Sequence, residues 1–203
     1  MKEKILETAA EMFLNLGFKS VTMDDIAQEL GISKKTVYTH YQNKTTLVEA
    51  SCFHLFEVIS AGIQKICNKQ LNSIQELFEI KLFVSKNLND EKSSPQFQLQ
   101  KFFPDIHQKM RKKNFEVMKN SVFQNLERGM KEGLYRTDIH TEFITRIYFA
   151  GLFSIKDEDI IPSMLYNKST AMNLFLDYHV RAIATPKGIE VLEHIKKEKI
   201  VQK

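Results

Sequence analysis

The chain has 203 residues, of which 43% are apolar and 27% charged. That length and balance suit one or two packed domains and exclude a wholly disordered or fibrous chain. The net charge of +4 is too small to prescribe a polyanionic partner, so the placement of charge carries the argument.

The opening MKEKILETAAEMF mixes acids with apolar residues and lacks the continuous apolar region of a signal peptide. A first helix is expected over 2–16, because Ile5, Ala9, Met12, Phe13 and Leu16 recur on one face and Lys4, Glu7 and Glu11 on the other. Gly17 supplies its stop. Thr22, followed by Met23, Asp24 and Asp25, reads as the cap of a second helix whose apolar stripe is Ile26, Ala27 and Leu30, ended by Gly31. Beyond a turn through Ile32, Ser33 caps a third helix over 34–40. Val37 and Tyr41, four apart, face inward with Ile32. Pointing outward are three pairs: Lys34 with Tyr38, Lys35 with Thr39, and Thr36 with His40. No acid lies between Leu30 and Val48, although residues 1–50 hold seven acids and six lysines.

Such a helix has the chemistry needed to enter a DNA groove. Lysines reach phosphates or guanine acceptors, Thr and Tyr hydroxyls bond phosphates or base edges, and the Thr methyl touches thymine. A basic helix by itself is more often simply solvated than bound to DNA. The helix and glycine turn in front of it shift the reading to DNA.

The stretch VTMDDIAQELGISKKTVYTHYQNKTTLVEA resembles the N-terminal DNA-binding domain of the TetR family of bacterial transcriptional regulators. The likeness covers about residues 3–50 and follows the order AAEMFLNLGF, TMDDIAQELGIS, T-V-Y-x-H-Y and N-K-x-x-L. It implies an all-α fold, with a three-helix helix-turn-helix domain over 1–46 and a larger helical effector-binding and dimerisation domain over 47–203. The family's recognition helix matches Ser33 to Tyr41. Lys34, Lys35 and Thr36 are thereby implied near base edges or phosphates, and Tyr38, Thr39 and His40 beside the backbone or bases. Lys44 matches a phosphate-holding lysine at the start of the fourth helix, and Thr22 a phosphate-contacting cap. Tyr41 stands where the family usually has Phe, and its ring is expected in the core.

From Leu47 onward, helices are expected over about 45–68, 74–88, 105–131, 140–155 and 162–184. A polar loop, NDEKSSP, is expected at 89–95, a break or kink at Pro104, a turn at GLYRTD (133–138), and a last short helix with a solvated basic tail in 184–203. The resemblance implies that the 45–68 helix joins the DNA head to the body. Thirteen of the fifteen Phe follow residue 50. Such rings either pack as core or line a cavity for an apolar molecule, and the sequence leaves both readings open. The candidate lining residues are Phe78, Phe83, Phe102, Phe103, Phe115, Met118 and Phe149. The 140–155 and 162–184 helices are apolar around much of their circumference, which marks core or interface. The resemblance implies a four-helix dimer interface from this pair, with Phe143, Ile147, Leu165, Met172 and Phe175 as candidates.

The six His are scattered, and no His, Cys or carboxylate set has metal or catalytic spacing, so no cofactor, metal or enzymatic activity is expected. Cys52 and Cys67, on one expected helix, would stand roughly 22 Å apart, beyond disulfide reach. The apolar run IYFAGLFSI at 147–155 is too short to span a bilayer. The expected protein is a cytoplasmic, homodimeric repressor of a palindromic DNA operator, released by a small hydrophobic effector and without a membrane partner. Control by a protein partner is the alternative.

Overall fold

The computed structural model describes the backbone of residues 1–88 and 95–201, and their side chains except at 95, 96 and 199–201. Among these residues the chain is all-α, with ten helices: α1 (Lys2–Leu16), α2 (Met23–Glu29), α3 (Lys34–His40), α4 (Lys44–Cys67), α5 (Ser73–Asn87), α6 (Pro95–Phe102), α7 (Pro104–Lys131), α8 (Thr141–Ser154), α9 (Lys168–Ile183) and α10 (Pro186–Val201). The polar loop expected at 89–95 lies, up to residue 94, outside the described residues, as do residues 202–203 of the expected tail.

Local capping explains the first three boundaries. The α1 C-cap is Gly17, with φ +88, and its N–H donates to the Phe13 carbonyl. Thr22 and Asp25 form a reciprocal capping box on α2, and the Ser33 hydroxyl accepts from Thr36 N–H on α3. Leu16 departs from the expected inward face and is exposed. It sits in the last turn, at the margin of a stripe centred on Ile5, Ala9 and Phe13. Pro104 separates α6 from α7 by occupying the first position of α7, where its missing N–H costs nothing. The expected 162–184 helix begins only at Lys168, because Asn167 caps it by accepting from Thr170 N–H at 2.8 Å. Met164 and Leu165 therefore lie in the preceding turn. The C-terminal segment is helical as far as Val201, with Leu192 and Ile195 buried, so the solvated tail expected there is largely an amphipathic helix.

The chain packs as two units. One comprises Met1–Gly62 with Val84–Asn114, the other Ile63–Phe83 with Phe115–Lys203, and α4, α5 and α7 contribute residues to both. The core of the first unit gathers Ile5, Phe13, Ile26, Val37, Tyr41, Leu47 and Val48, together with Leu99 of α6 and Ile106 and Met110 of α7. By length and a mean hydropathy of 1.3, α4 alone among the described residues is apolar enough to cross a membrane. Its first turns are spoken for: Leu47 and Val48 are fully buried and Glu49 pairs with Lys109 at 2.7 Å.

The second unit packs Ile74, Leu126, Tyr135, Leu176, Val180, Ile183 and Leu192. Gly129 lets the Tyr135 ring lie against α7, since a Cβ there would stand 2.1 Å from Tyr135 Cδ2. The Tyr135 hydroxyl donates to Asn125 Oδ1 at 3.1 Å, and Asn125 Nδ2 donates to Glu76 Oε1 at 2.7 Å. Glu76 is buried and pairs with Arg128 at 2.7 Å. Cys52 and Cys67 are free thiols, and burial pushes Cys52 up to about 12, so it carries no thiolate at neutral pH.

His179 lies buried with its ring centroid 4.5 Å from that of Tyr148, and burial pulls its pKa from 6.5 down to about 4. Above 6.5 the imidazole is neutral in both folded and unfolded chains. Between 6.5 and 4 only the unfolded chain takes up the proton, so stability falls as pH falls, by at most about 3 kcal/mol. Urea unfolding at pH 7.0, 5.5 and 4.5 is expected to show this loss. His179→Phe is expected to flatten the part due to this residue, and an unchanged pH slope in the variant would refute the assignment.

Candidate nucleic-acid interface

The turn between α2 and α3 fixes how α3 is presented. Gly31 takes φ +63, a left-handed conformation costly for residues with a side chain, and its N–H donates to the Gln28 carbonyl at 3.0 Å. Ile32 N–H donates to Ala27 O at 3.0 Å. Val37 and Tyr41 then seat α3 on the core, each almost wholly buried. The opposite face is left to solvent: Ser33, Lys34, Lys35, Tyr38 and Thr39 are exposed, while Thr36, His40 and Lys44 are half-buried.

Several of these side chains already have partners. Lys34 Nζ pairs with Asp24 at 2.8 Å and stands 5.9 Å over the Tyr38 ring, and its hydrogen bond to Asp24 raises its pKa. Thr36 Oγ1 lies 2.8 Å from Ser33 Oγ, inside the α3 cap. Thr39 donates its hydroxyl to the Lys35 carbonyl at 2.8 Å. Thr22 donates from both N–H and Oγ1 to Asp25 Oδ2, which lowers the Asp25 pKa and keeps that acid occupied. Lys44 Nζ donates to the Lys19 carbonyl at 3.1 Å, and burial lowers its pKa against the opposing pull of Asp25. The two acids at the head of α2 are thus each satisfied within the motif. What the surface offers a polyanion is Lys35 and Tyr38 directly, and Lys34 by exchange of its Asp24 partner.

Sequence reasoning did not single out Lys19, whose backbone holds Lys44, or Gln98 and Lys101 of α6, and it assigned Phe102 beside them to a cavity lining. Their only signal was a lysine between two helices and a short run, PQFQLQKF, too brief to show a period.

The other candidate residues divide between the units. Phe102 and Phe103 belong to the first, where Phe103 packs on the core with its ring 6.2 Å from Phe18 and Phe102 is exposed. Phe78, Phe83, Phe115, Met118 and Phe149 belong to the second. There Phe115 and Phe149 meet edge to face at 4.9 Å, and Phe78 and Met118 pack in the core cluster. On α8, Phe143 is 58% and Ile147 48% exposed; on α9, Leu174 is 54% and Tyr178 69% exposed. Leu165 is exposed in the turn before α9, whereas Met172 and Phe175 are half-buried, Phe175 stacking on Tyr148 at 5.6 Å. No group of His, Cys, Asp and Glu that could hold a metal occurs among the described residues.

Residues 5–51 match the family described as "Bacterial regulatory proteins, tetR family". The negative transcriptional regulator IcaR of the Staphylococcus aureus (strain Newman) biofilm operon icaADBC is 33% identical over 79 residues, which are 39% of this chain and 42% of the relative. The chain thus spans about two fifths of the curated relatives it matches. Solved structures share the fold over nearly the whole chain. A TetR-family transcriptional regulator from Agrobacterium tumefaciens superposes with TM-score 0.71 at 15% identity, over 91% of this chain and 97% of that one. SmeT, the repressor of the Stenotrophomonas maltophilia multidrug efflux pump SmeDEF, superposes with TM-score 0.66 at 18% identity, over 92% and 91%. Residues 5–51 thus carry the match to the bacterial tetR regulatory family, and the chain shares the fold of these solved structures.

Proposed function

We propose that the protein is a DNA-binding transcriptional regulator, a dimeric repressor that leaves a palindromic operator when a small apolar effector binds. The observation that carries this reading is the outward face of α3: Lys35, Tyr38 and Thr39 are exposed on a helix seated by Val37 and Tyr41, with no acid in that segment. Residues 1–46 read DNA, and residues 47–203 hold the effector and the dimer contact.

A two-turn helix touches few base pairs. A two-fold dimer brings two such helices to half-sites about 34 Å apart, which lengthens the sequence read and makes the operator palindromic. The exposed apolar residues of α8 and α9, among them Phe143 and Ile147, favour a dimer contact on this pair, where Leu165, Met172 and Phe175 are also proposed. The apolar side chains Phe78, Phe83, Phe115, Met118 and Phe149 of the second unit suit an apolar effector, whereas Phe102 and Phe103, expected in the same lining, lie in the first unit, and Phe102 is exposed beside Lys19 and Lys101. SmeT has been solved in complex with triclosan, and the Thermus thermophilus repressor FadR with lauroyl-CoA, which supports ligands with an apolar portion for this fold. An effector acts only through unequal affinity for the DNA-bound and free conformations.

Selection of bound sequences from a random duplex pool, followed by affinity at several salt concentrations, tests the reading. An inverted repeat is the expected product. Binding that is weak, wholly salt-driven and without a motif would overturn it. With the recovered operator, Lys44→Ala is expected to weaken binding to every sequence alike and to flatten the salt slope by about one. Lys35→Ala or Thr36→Ala is instead expected to relax the preference at particular base pairs, by about 1–3 kcal/mol each. Uniform weakening in all three variants would show that the division between phosphate and base contacts is wrong.

A further inference from the structure

We infer that the α1–α2 loop and α6 form a second phosphate-binding surface, in which Lys19 and Lys101 hold DNA backbone beside the stretch read by α3. The inference rests on the DNA-binding reading above and adds contacts from outside the helix-turn-helix.

The backbone N–H of Lys19 donates to Gln98 Oε1 at 3.1 Å, which ties the loop after α1 to α6. The Lys19 ammonium stands 5.3 Å over the Phe102 ring. The Lys101 ammonium stands 5.7 Å from the same ring and 5.6 Å from that of Phe97. Both rings are open to solvent, Phe97 49% and Phe102 39% exposed. Burial of apolar surface therefore does not account for their position, whereas the attraction between ring faces and the two cations does.

Two like charges converging on one exposed ring repel each other, and neither has a carboxylate within ion-pair reach among the described residues. An anion between them relieves the repulsion. The patch is continuous with the expected DNA surface, because the carbonyl of Lys19 is the group that accepts from Lys44 Nζ at 3.1 Å. One residue thus positions the lysine expected on a phosphate and contributes the next cation along. Duplex DNA offers anions in a row, one per roughly 1.7 Å of axis, so a surface that engages one phosphate at Lys44 meets others beside it. The occupant is the sugar-phosphate backbone flanking the half-site, and sequence preference does not depend on it.

The test uses the full-length protein and the operator recovered by selection. Lys101→Ala and the double variant Lys19→Ala, Lys101→Ala are compared with wild type, with Lys44→Ala, and with Lys197→Ala, which removes an exposed charge from α10 in the other unit. Affinity is measured against salt, and phosphate contacts by ethylation interference. Each patch lysine removed is expected to flatten the slope by about one and to lower affinity about threefold, with the preferred bases unchanged. Interference is expected to disappear at phosphates other than those lost in Lys44→Ala. Lys101→Arg is expected to retain the slope, and Lys197→Ala to behave as wild type. A double variant with wild-type slope and interference, while Lys44→Ala still loses its contact, overturns the inference and leaves the DNA reading intact. Wild-type protein that binds no duplex overturns both.

Discussion

Replacing Ile147 with Asp is expected to yield a folded monomer that no longer holds the operator at concentrations where the wild-type protein does. Phe143 and Ile147 lie one turn apart on α8, and Leu174 and Tyr178 one turn apart on α9, all substantially exposed in the single chain. An isologous contact presents each residue twice, so one substitution places two carboxylates in the same apolar surface. Ile147 is 48% exposed, so an interface buries about half of each side chain, and losing both costs about 1.5–3 kcal/mol in apolar burial alone, before any penalty for the charges. That corresponds to a dimer dissociation constant raised by a factor of about ten to a hundred, and the two buried carboxylates raise it further. Because Ile147 is exposed, helix content and unfolding of the monomer are expected to match wild type. Sedimentation equilibrium and operator binding check both halves of the statement. A dimer of unchanged affinity in both Ile147→Asp and Leu174→Asp would place the subunit contact elsewhere.

The parts of the fold legible in the sequence are those set within a few residues. The bounds of α1, α2 and α3 follow from Gly17, from Thr22 with Asp25, and from Ser33, each acting on its own or the adjoining turn. The start of α9 was less legible because Met164 and Leu165 extend its apolar run, while the Asn167 cap that decides the boundary is a single polar residue within it. Hidden altogether was the composition of the packing units. Leu99, Ile106 and Met110 join the core around Phe13 and Tyr41 from about fifty residues and more downstream, and no periodicity within either segment announces the other.

The same distinction runs through the candidate site. The outward residues of α3 follow from the period of Val37 and Tyr41. Their present partners do not: Lys34 pairs with an acid ten positions back, and Lys44 bonds a carbonyl twenty-five positions back. These bonds hold the side chains in place before DNA arrives. On the proposed reading, binding would exchange these contacts for phosphate contacts, so the net gain per lysine would be smaller than a count of charges implies.

A second large effect is expected in the other unit, where Glu76→Ala is predicted to destabilise the protein by about 3 kcal/mol. Glu76 is almost completely buried, its Oε1 accepting from Asn125 at 2.7 Å and its Oε2 facing Arg128 at 2.7 Å. Asn125 also donates to the Ser73 carbonyl at 2.9 Å and accepts from Tyr135, so the carboxylate anchors groups from α5, from α7 and from the turn after α7. Truncation leaves Asn125 short of an acceptor and the guanidinium without its buried partner. Arg128 keeps a longer contact to Glu132, 3.5 Å, and is one third exposed, which holds the cost to the lower end for a broken buried pair. Glu132 is itself engaged, accepting from Ser73 N–H at 2.9 Å and Oγ at 2.8 Å, so it cannot replace Glu76 without giving up the start of α5. Glu76→Gln is expected to cost less than Glu76→Ala, because an amide oxygen still accepts from Asn125 while its NH2 group opposes Arg128. Urea unfolding of the single variants and of Glu76→Ala with Arg128→Ala isolates the pair. A double variant no less stable than Glu76→Ala alone would identify the unpaired guanidinium as the source of the loss. Additive losses would show that the carboxylate acts through Asn125 and not through the ion pair.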